Sequence, residues 1–437
     1  MTPCDHIIKG DAVACMDAVC TVHSDAAIAV REGRILEVGP ESDIDRKYTP
    51  GKIIGGKGRV VMPGLVNAHT HAPMVLMRGL ADDMPLKAWL EEHIWPAENK
   101  WLSEEFIRDA ARLACLEMIR SGTTTFCDMY FFEGVVAEVA EEMGMRAVLA
   151  AGIIDFPTHT TTGPDDCLDK ALSNIKKYKG SEFVTPALGI HSPYTCSPDT
   201  IRKAVAMALE HDVILSIHLS ETEWEVGEVR SRYGNTPVMH LDSLGFFEPR
   251  TLSYHCVWLT DEEMKLMADR GAHVAHCPQS NLKLASGIAP VPAMLKTGIN
   301  VCLGTDGAAS NNDLDMLGEL ATVARLHKGA WKDPVAVDAS TAISMATSNG
   351  ARALGLQGTG VIKAGADADL VLIDMRKPHL TPVYNHLSHI AYSVRGSDVE
   401  TVMVKGRVLM EEGSLPGVND QEIMDRAAHW GRKIKGL

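Results

Sequence analysis

The sequence predicts an α/β protein: a (β/α)8 TIM-type barrel in the middle of the chain, and a small composite β-sandwich domain built from the N- and C-terminal segments. Three observations lead there. From Val60 to Leu303, eight short apolar strand candidates alternate with helical segments. Histidines and acids recur at the C-terminal ends of those strands, where such barrels keep their chemistry. Residues 1–58 and 359–437 carry short strands punctuated by turns instead, so the expected division is 1–58, 59–358 and 359–437, the last including a C-terminal helix.

The elements follow in order. Ala26–Arg31, the turn Glu32-Gly33 and Arg34–Val38 predict a hairpin near the N-terminus. Val60–His71 (VVMPGLVNAHTH) reads as one buried strand, the first of the barrel. A helix is expected over Ser103–Arg120, with Ile107, Ala110, Ala111, Ala114 and Met118 on one face and acids in its first turn. Strands then fall at Thr123–Met129, Arg146–Ile154, Val184–His191, Val213–His218, Thr251–His255, His273–His276 and Asn300–Leu303. Ser197 before Pro198 marks a helix start, and Thr260-Asp261-Glu262-Glu263 marks a capping box whose helix Gly271 closes. Asp369–Asp374 and Val399–Lys405 supply the strands of the distal half of the composite domain.

Composition narrows the function. The chain has 437 residues, 46% hydrophobic and 23% charged, enough for a sizeable core and without a low-complexity tract. Its net charge is −15 and it lacks a dense Lys/Arg run, so it has no footprint for phosphate-backbone binding and no nucleic-acid partner is expected. The longest apolar stretches, such as Ala147–Ile154, are too short to span a bilayer, and the Met1 end lacks a secretory h-region. Ten cysteines without C-x-x-C spacing fit a reduced compartment, so the expected location is cytoplasmic, with no membrane partner.

His69 and His71 end the first strand one residue apart, and residues i and i+2 of a strand point the same way, so the pair can offer two imidazoles to one metal. Alone the pair is weak, because 18 histidines in 437 residues generate about 0.7 such pairs by chance. The context is stronger. His191, His218 and His255 end further strands, and Asp306 follows the last. Chance would scatter them among helices. Glu221, three residues after His218, could reach a metal-bound water or a ring nitrogen, or could serve as an acid in the first turn of the next helix.

The segments GLVNAHTH (64–71), HLSE (218–221), HCPQSNLKLASG (276–287), GTDGAASNNDLDML (304–317) and GADADLVLID (365–374) resemble the amidohydrolase superfamily, in particular its mononuclear-metal deaminase and chlorohydrolase branch. The resemblance covers nearly the whole chain and is closest to deaminases of 5′-methylthioadenosine and S-adenosylhomocysteine. It implies that His69, His71, His218 and Asp306 ligate one zinc ion, with another divalent metal such as iron as the alternative. Binuclear members carry a bridging lysine at the end of the fourth strand. Here that position reads Gly189-Ile190-His191-Ser192, which favours a single metal.

The same resemblance implies hydrolytic deamination of a 6-aminopurine nucleoside, the small-molecule partner, to its inosine analogue plus ammonia. Asp306 would take a proton from the attacking water, Glu221 would protonate the ring nitrogen, and His255 would steady the attacking oxygen. Glu98 would contact the ribose hydroxyls and His191 the purine, within a homo-oligomer. Met74, Met77, Leu80 and Met84 either line a pocket for a thioether or pack as an ordinary lid. Arg146 either meets the substrate or caps the rim. Relatives use a second arginine after it for the homocysteine carboxylate, whereas this chain continues Ala147-Val148-Leu149, which favours 5′-methylthioadenosine or adenosine over S-adenosylhomocysteine. His273 and His276 have no derived role, and His6, His23, His159, His211 and His240 read as structural or exposed. A chlorohydrolase or deaminase of another ring, such as a triazine or guanine, and a non-catalytic barrel scaffold are the competing readings.

Overall fold

The computed structural model describes residues 1–436. Among the described residues, fifteen strands form two sheets. β1 (Thr2–Ala14), β2 (Val22–Arg31), β3 (Arg34–Pro40) and β4 (Tyr48–Pro63) come from the N-terminal segment. The barrel strands are β5 (Leu65–Thr70), β6 (Thr123–Asp128), β7 (Arg146–Ile153), β8 (Val184–Ile190), β9 (Leu215–Leu219), β10 (Thr251–His255), β11 (His273–His276) and β12 (Asn300–Leu303). β13 (Leu370–Asp374), β14 (Val399–Val404) and β15 (Arg407–Met410) lie near the C-terminus.

The terminal segments share one mixed sheet in the order β15-β14-β13-β4-β1-β2-β3, as the sequence predicts for a composite domain. β4 joins its two halves: it runs parallel to β1 and antiparallel to β13, with Met62 opposite Val371. Strand alternation divides its apolar residues between two faces. Ile8, Ile28, Val30 and Leu372 enter one core, while Ile7, Ala27 and Ala29 pack with Ile44 of the helix Glu41–Lys47 on the other.

The run Val60–His71 is two strands rather than the single expected one. Pro63 closes β4, Gly64 follows, and β5 begins at Leu65 in the other sheet. A side chain at Gly64 is excluded, because a Cβ there would stand 2.1 Å from Thr124 Oγ1. The missing donor of proline and the missing Cβ of glycine set the change of sheet at this point.

β5 to β12 pair in parallel and in sequence order, and every residue of β5 and β6 is buried, as strands covered on both faces require. The ring is nearly closed, with the Asp306 N–H reaching the His69 carbonyl at 3.0 Å. Helix signals act where the sequence places them. Ser197 accepts from the Thr200 N–H at 3.3 Å, and Thr260 and Glu263 form the reciprocal capping box. By density of internal packing the chain falls into two compact units, one of residues 1–67, 116–125 and 315–419, the other of 68–115, 126–314 and the C-terminal segment. Among the described residues no helix is long and apolar enough to cross a membrane.

Candidate metal and active site

Six candidate side chains reach the site from the C-terminal ends of barrel strands. His69 lies within β5, His218 within β9 and His255 at the end of β10, while His71 and His191 stand one residue beyond β5 and β8. Asp306 lies three residues past β12. The glycine before it in the motif, Gly304, is required by contact, since a Cβ there would come within 2.7 Å of His69.

His69 Nε2 and His71 Nε2 each lie 3.3 Å from Asp306 Oδ1, and His71 Nε2 lies 3.4 Å from His218 Nε2. Ligand atoms of His69, His71 and Asp306, and separately of His69, His218 and His255, fall within 4.8 Å of one another. The outer ring nitrogens are fixed by backbone. His71 Nδ1 meets the Met129 carbonyl at 2.5 Å, and His218 Nδ1 meets the His191 carbonyl at 2.7 Å. A carbonyl can only accept, so both Nδ1 atoms carry hydrogen, and each ring turns its Nε2 toward the other, His71 toward the Asp306 carboxylate as well. Such a donor set fits a divalent cation, whose ligating histidines are oriented by just this kind of outer hydrogen bond.

Burial shapes the electrostatics. It lowers His69 to about 3 and holds His218 well below its ordinary value. Burial opposes charge on His71 too, yet the Asp306 carboxylate beside it outweighs that and raises it to about 9. Burial would raise Asp306, but its hydrogen bonds with His69 and His71 hold it well below the carboxylate range.

Asp306 Oδ2 accepts from Ser280 Oγ at 2.6 Å and from Ser310 Oγ at 2.8 Å, so the carboxylate presents Oδ1 alone to the histidines. Glu221 is buried, lies with Oε2 3.8 Å from His255 Nε2, and accepts from Ser286 Oγ at 3.3 Å. Burial raises its pKa. His255 Nδ1 meets Asn281 Oδ1 at 2.9 Å. Both His255 (φ +67°) and Asp306 (φ +62°) adopt the left-handed region, a strain that clusters at functional sites.

Of these residues, His71, His218, Glu221, His255, Asp306 and Ser310 line a cavity of about 430 Å³. Glu98, on the helix Trp95–Trp101, faces the same cavity and accepts from Tyr130 Oη at 2.6 Å. Burial raises it to about 7, against the opposing hydrogen bond from Tyr130. His191 lines the wall with Nδ1 3.0 Å from Thr195 Oγ1, and burial lowers it to about 4. Trp89, Ile94, Trp95 and Phe156 supply much of the apolar lining.

Two expectations meet the geometry less well. Arg146 is the first residue of β7, whereas the cavity touches that strand at Gly152 and Ile153, six residues on or about 20 Å along an extended chain. It stands at the opposite strand end and is not brought to the site. Of the four residues grouped as a thioether pocket, Met74 lines the cavity while Met77, Leu80 and Met84 do not.

Sequence reasoning missed Ser280, Asn281, Ser310, Tyr130 and Asp128. Asp128, buried at the end of β6, accepts from the Ala72 N–H at 2.6 Å and fixes the turn that follows His71. The motifs containing Ser280, Asn281 and Ser310 were visible, but their contacts depend on tertiary packing.

The Amidohydrolase family profile matches residues 60–409. A 5-methylthioadenosine/S-adenosylhomocysteine deaminase of Thermodesulfovibrio yellowstonii is 46% identical over 432 residues, 98% of each chain. Its counterpart in Syntrophobacter fumaroxidans is 49% identical over 410 residues, 94% of this chain and 93% of the relative. Among solved structures, a zinc-bound adenosine deaminase from Xanthomonas campestris superposes with a TM-score of 0.98 at 37% identity, covering 100% of both chains. With its match spanning all eight barrel strands and the C-terminal strands of the terminal sheet, this chain belongs to the Amidohydrolase family.

Proposed function

We propose that the protein is a metal-dependent hydrolytic deaminase of 6-aminopurine nucleosides, with 5′-methylthioadenosine and adenosine as substrates and one zinc ion held by His69, His71, His218 and Asp306. The observation that carries this reading is the convergence of His69, His71, His218 and Asp306 beside a buried glutamate, Glu221, whose burial favours its protonated form. The names of the relatives supply the substrate class.

When bound, a divalent metal lowers the pKa of a water toward neutrality and so makes it a nucleophile at physiological pH. Asp306, fixed through Oδ2 by two serine hydroxyls, accepts a proton from the attacking water at Oδ1. His255 accepts a hydrogen bond from the attacking oxygen at Nε2 and steadies it against C6 of the purine. Glu221 gives its proton to the neighbouring ring nitrogen, which lets C6 become tetrahedral. Asp306 then gives the proton it took to the amino group, which leaves as ammonia, while the C6 hydroxyl proton passes to Glu221 as the carbonyl forms. Glu98 binds the ribose hydroxyls and His191 the purine, while the aromatic wall excludes water.

Ammonia release from a panel of 5′-methylthioadenosine, adenosine, S-adenosylhomocysteine, guanine and a chlorotriazine tests the reading. The expected order places the first two nucleosides ahead of S-adenosylhomocysteine, with guanine and the triazine inert. Turnover of guanine or the triazine without turnover of any nucleoside would replace this reading with the other ring hydrolases.

A further inference from the structure

We propose that Asn281 is a positioning residue for His255, fixing which ring nitrogen carries the proton and so presenting Nε2 to the reaction centre as a lone pair. The inference rests on the deamination reading for the use made of that lone pair. The geometry behind it is independent of that reading.

Asn281 and His255 are both 1% exposed, and their side chains meet at 2.9 Å through Oδ1 and Nδ1. An amide oxygen only accepts, so Nδ1 must carry the hydrogen and the neutral ring is left with its acceptor at Nε2, the side that faces Glu221 Oε2 at 3.8 Å. The other half of the amide makes no such provision. Asn281 Nδ2 is buried and has no hydrogen-bond partner among the described residues. A buried donor left unmade costs stability, so packing alone gives no reason for an amide rather than a hydrocarbon of the same shape here.

The surroundings point the same way. His255 and the following Cys256 take φ of +67° and +51°, a backbone conformation that a β-carbon disfavours, so the ring is held in place against local preference. Asn281 also belongs to a segment that touches each of the three proposed proton-handling side chains. Ser280 donates to Asp306 Oδ2 at 2.6 Å, and Ser286 donates to Glu221 Oε1 at 3.3 Å. One short stretch, 280–286, therefore orients Asp306, His255 and Glu221 together, and Asn281 is its contact to the imidazole.

The test compares Asn281→Leu, which keeps the branched shape and removes the acceptor, with Asn281→Asp, which keeps the acceptor. Three readouts are taken on the full chain: kcat and KM for 5′-methylthioadenosine, thermal unfolding, and the imidazole N–H resonances of histidine-labelled protein. The His255 resonance is identified by its loss in His255→Gln. For Asn281→Leu the expected result is a fall in kcat of about tenfold or more with KM changed by less than about twofold. Its melting temperature should not fall, and the His255 Nδ1–H signal should disappear. Asn281→Asp should keep both the signal and most of kcat. Unchanged kcat in Asn281→Leu, equal losses in the two variants, or survival of the N–H signal in Asn281→Leu would each overturn the proposal. If the parent chain turns over no nucleoside, the deamination reading fails, while the N–H signal still decides whether Asn281 sets the His255 tautomer.

Discussion

His71 Nε2 and His218 Nε2 face each other at 3.4 Å, each ring turned by a backbone carbonyl at its other nitrogen. Beside the Asp306 carboxylate these two imidazoles form a donor set that a divalent cation can occupy in place of the proton on His71. Metal is therefore expected to stabilise the fold. Stripping with a chelator should lower the melting temperature, and zinc should restore it, by about 2.7 kcal/mol when free zinc is a hundredfold above its Kd. Elemental analysis should return one ion per chain, and His218→Ala should lose both the ion and turnover. A zinc-independent melting temperature would remove the metal site from the account.

Glu221→Gln keeps the size and the contact with Ser286 but has no proton to give. Steady-state kinetics should show kcat reduced by about 10²–10⁴-fold with little change in KM. A KM effect alone would move Glu221 from proton transfer to binding.

Burial raises Glu98 to about 7, so it is neutral below that pH and charged above it. A carboxylate accepts hydrogen bonds from ribose hydroxyls more strongly than a neutral acid does. KM for the nucleoside should thus fall as pH rises through about 7, and Glu98→Gln should flatten the profile. The same shift makes a stability contribution that is complete below the ordinary carboxylate pKa and lost as pH rises through about 7. A KM that is flat with pH in the parent chain would remove Glu98 from ribose binding.

Away from the site, the C-terminal helix Asp420–Lys435 is anchored through one buried acid. Asp109 Oδ2 accepts from Arg426 Nη2 at 2.7 Å, Arg426 Nε at 3.0 Å and Trp430 Nε1 at 2.8 Å. Asp109→Asn should cost about 1–3 kcal/mol in urea unfolding while leaving kcat per folded molecule intact. A matching loss of kcat would mean that the helix bears on the cavity.

The residues that were legible in the sequence are those fixed by chain-local rules. His69, His218 and His255 sit at strand ends that apolar runs and turn signals delimit, and Thr260 and Glu263 cap a helix by their spacing alone. The break at Gly64 was also written locally, as Pro63-Gly64, but a continuous apolar run masked it. For Arg146 two readings stood open, a substrate contact or a cap on the rim, and its place at the start of a strand sets it at the end of the barrel away from the cavity. Ser280, Asn281 and Tyr130 were not legible, because their partners Asp306, His255 and Glu98 lie 26, 26 and 32 residues away in sequence. Only the packing of helices and loops against the strand ends brings these pairs together.

The most direct test of hydrolytic deamination is the reaction of the zinc-loaded protein with 5′-methylthioadenosine in ¹⁸O-labelled water. The account predicts one labelled oxygen at C6 of a methylthioinosine product for each ammonia released, and neither from Asp306→Asn. Ammonia-free recovery of the nucleoside from protein that holds its metal, or full activity in Asp306→Asn, would contradict it.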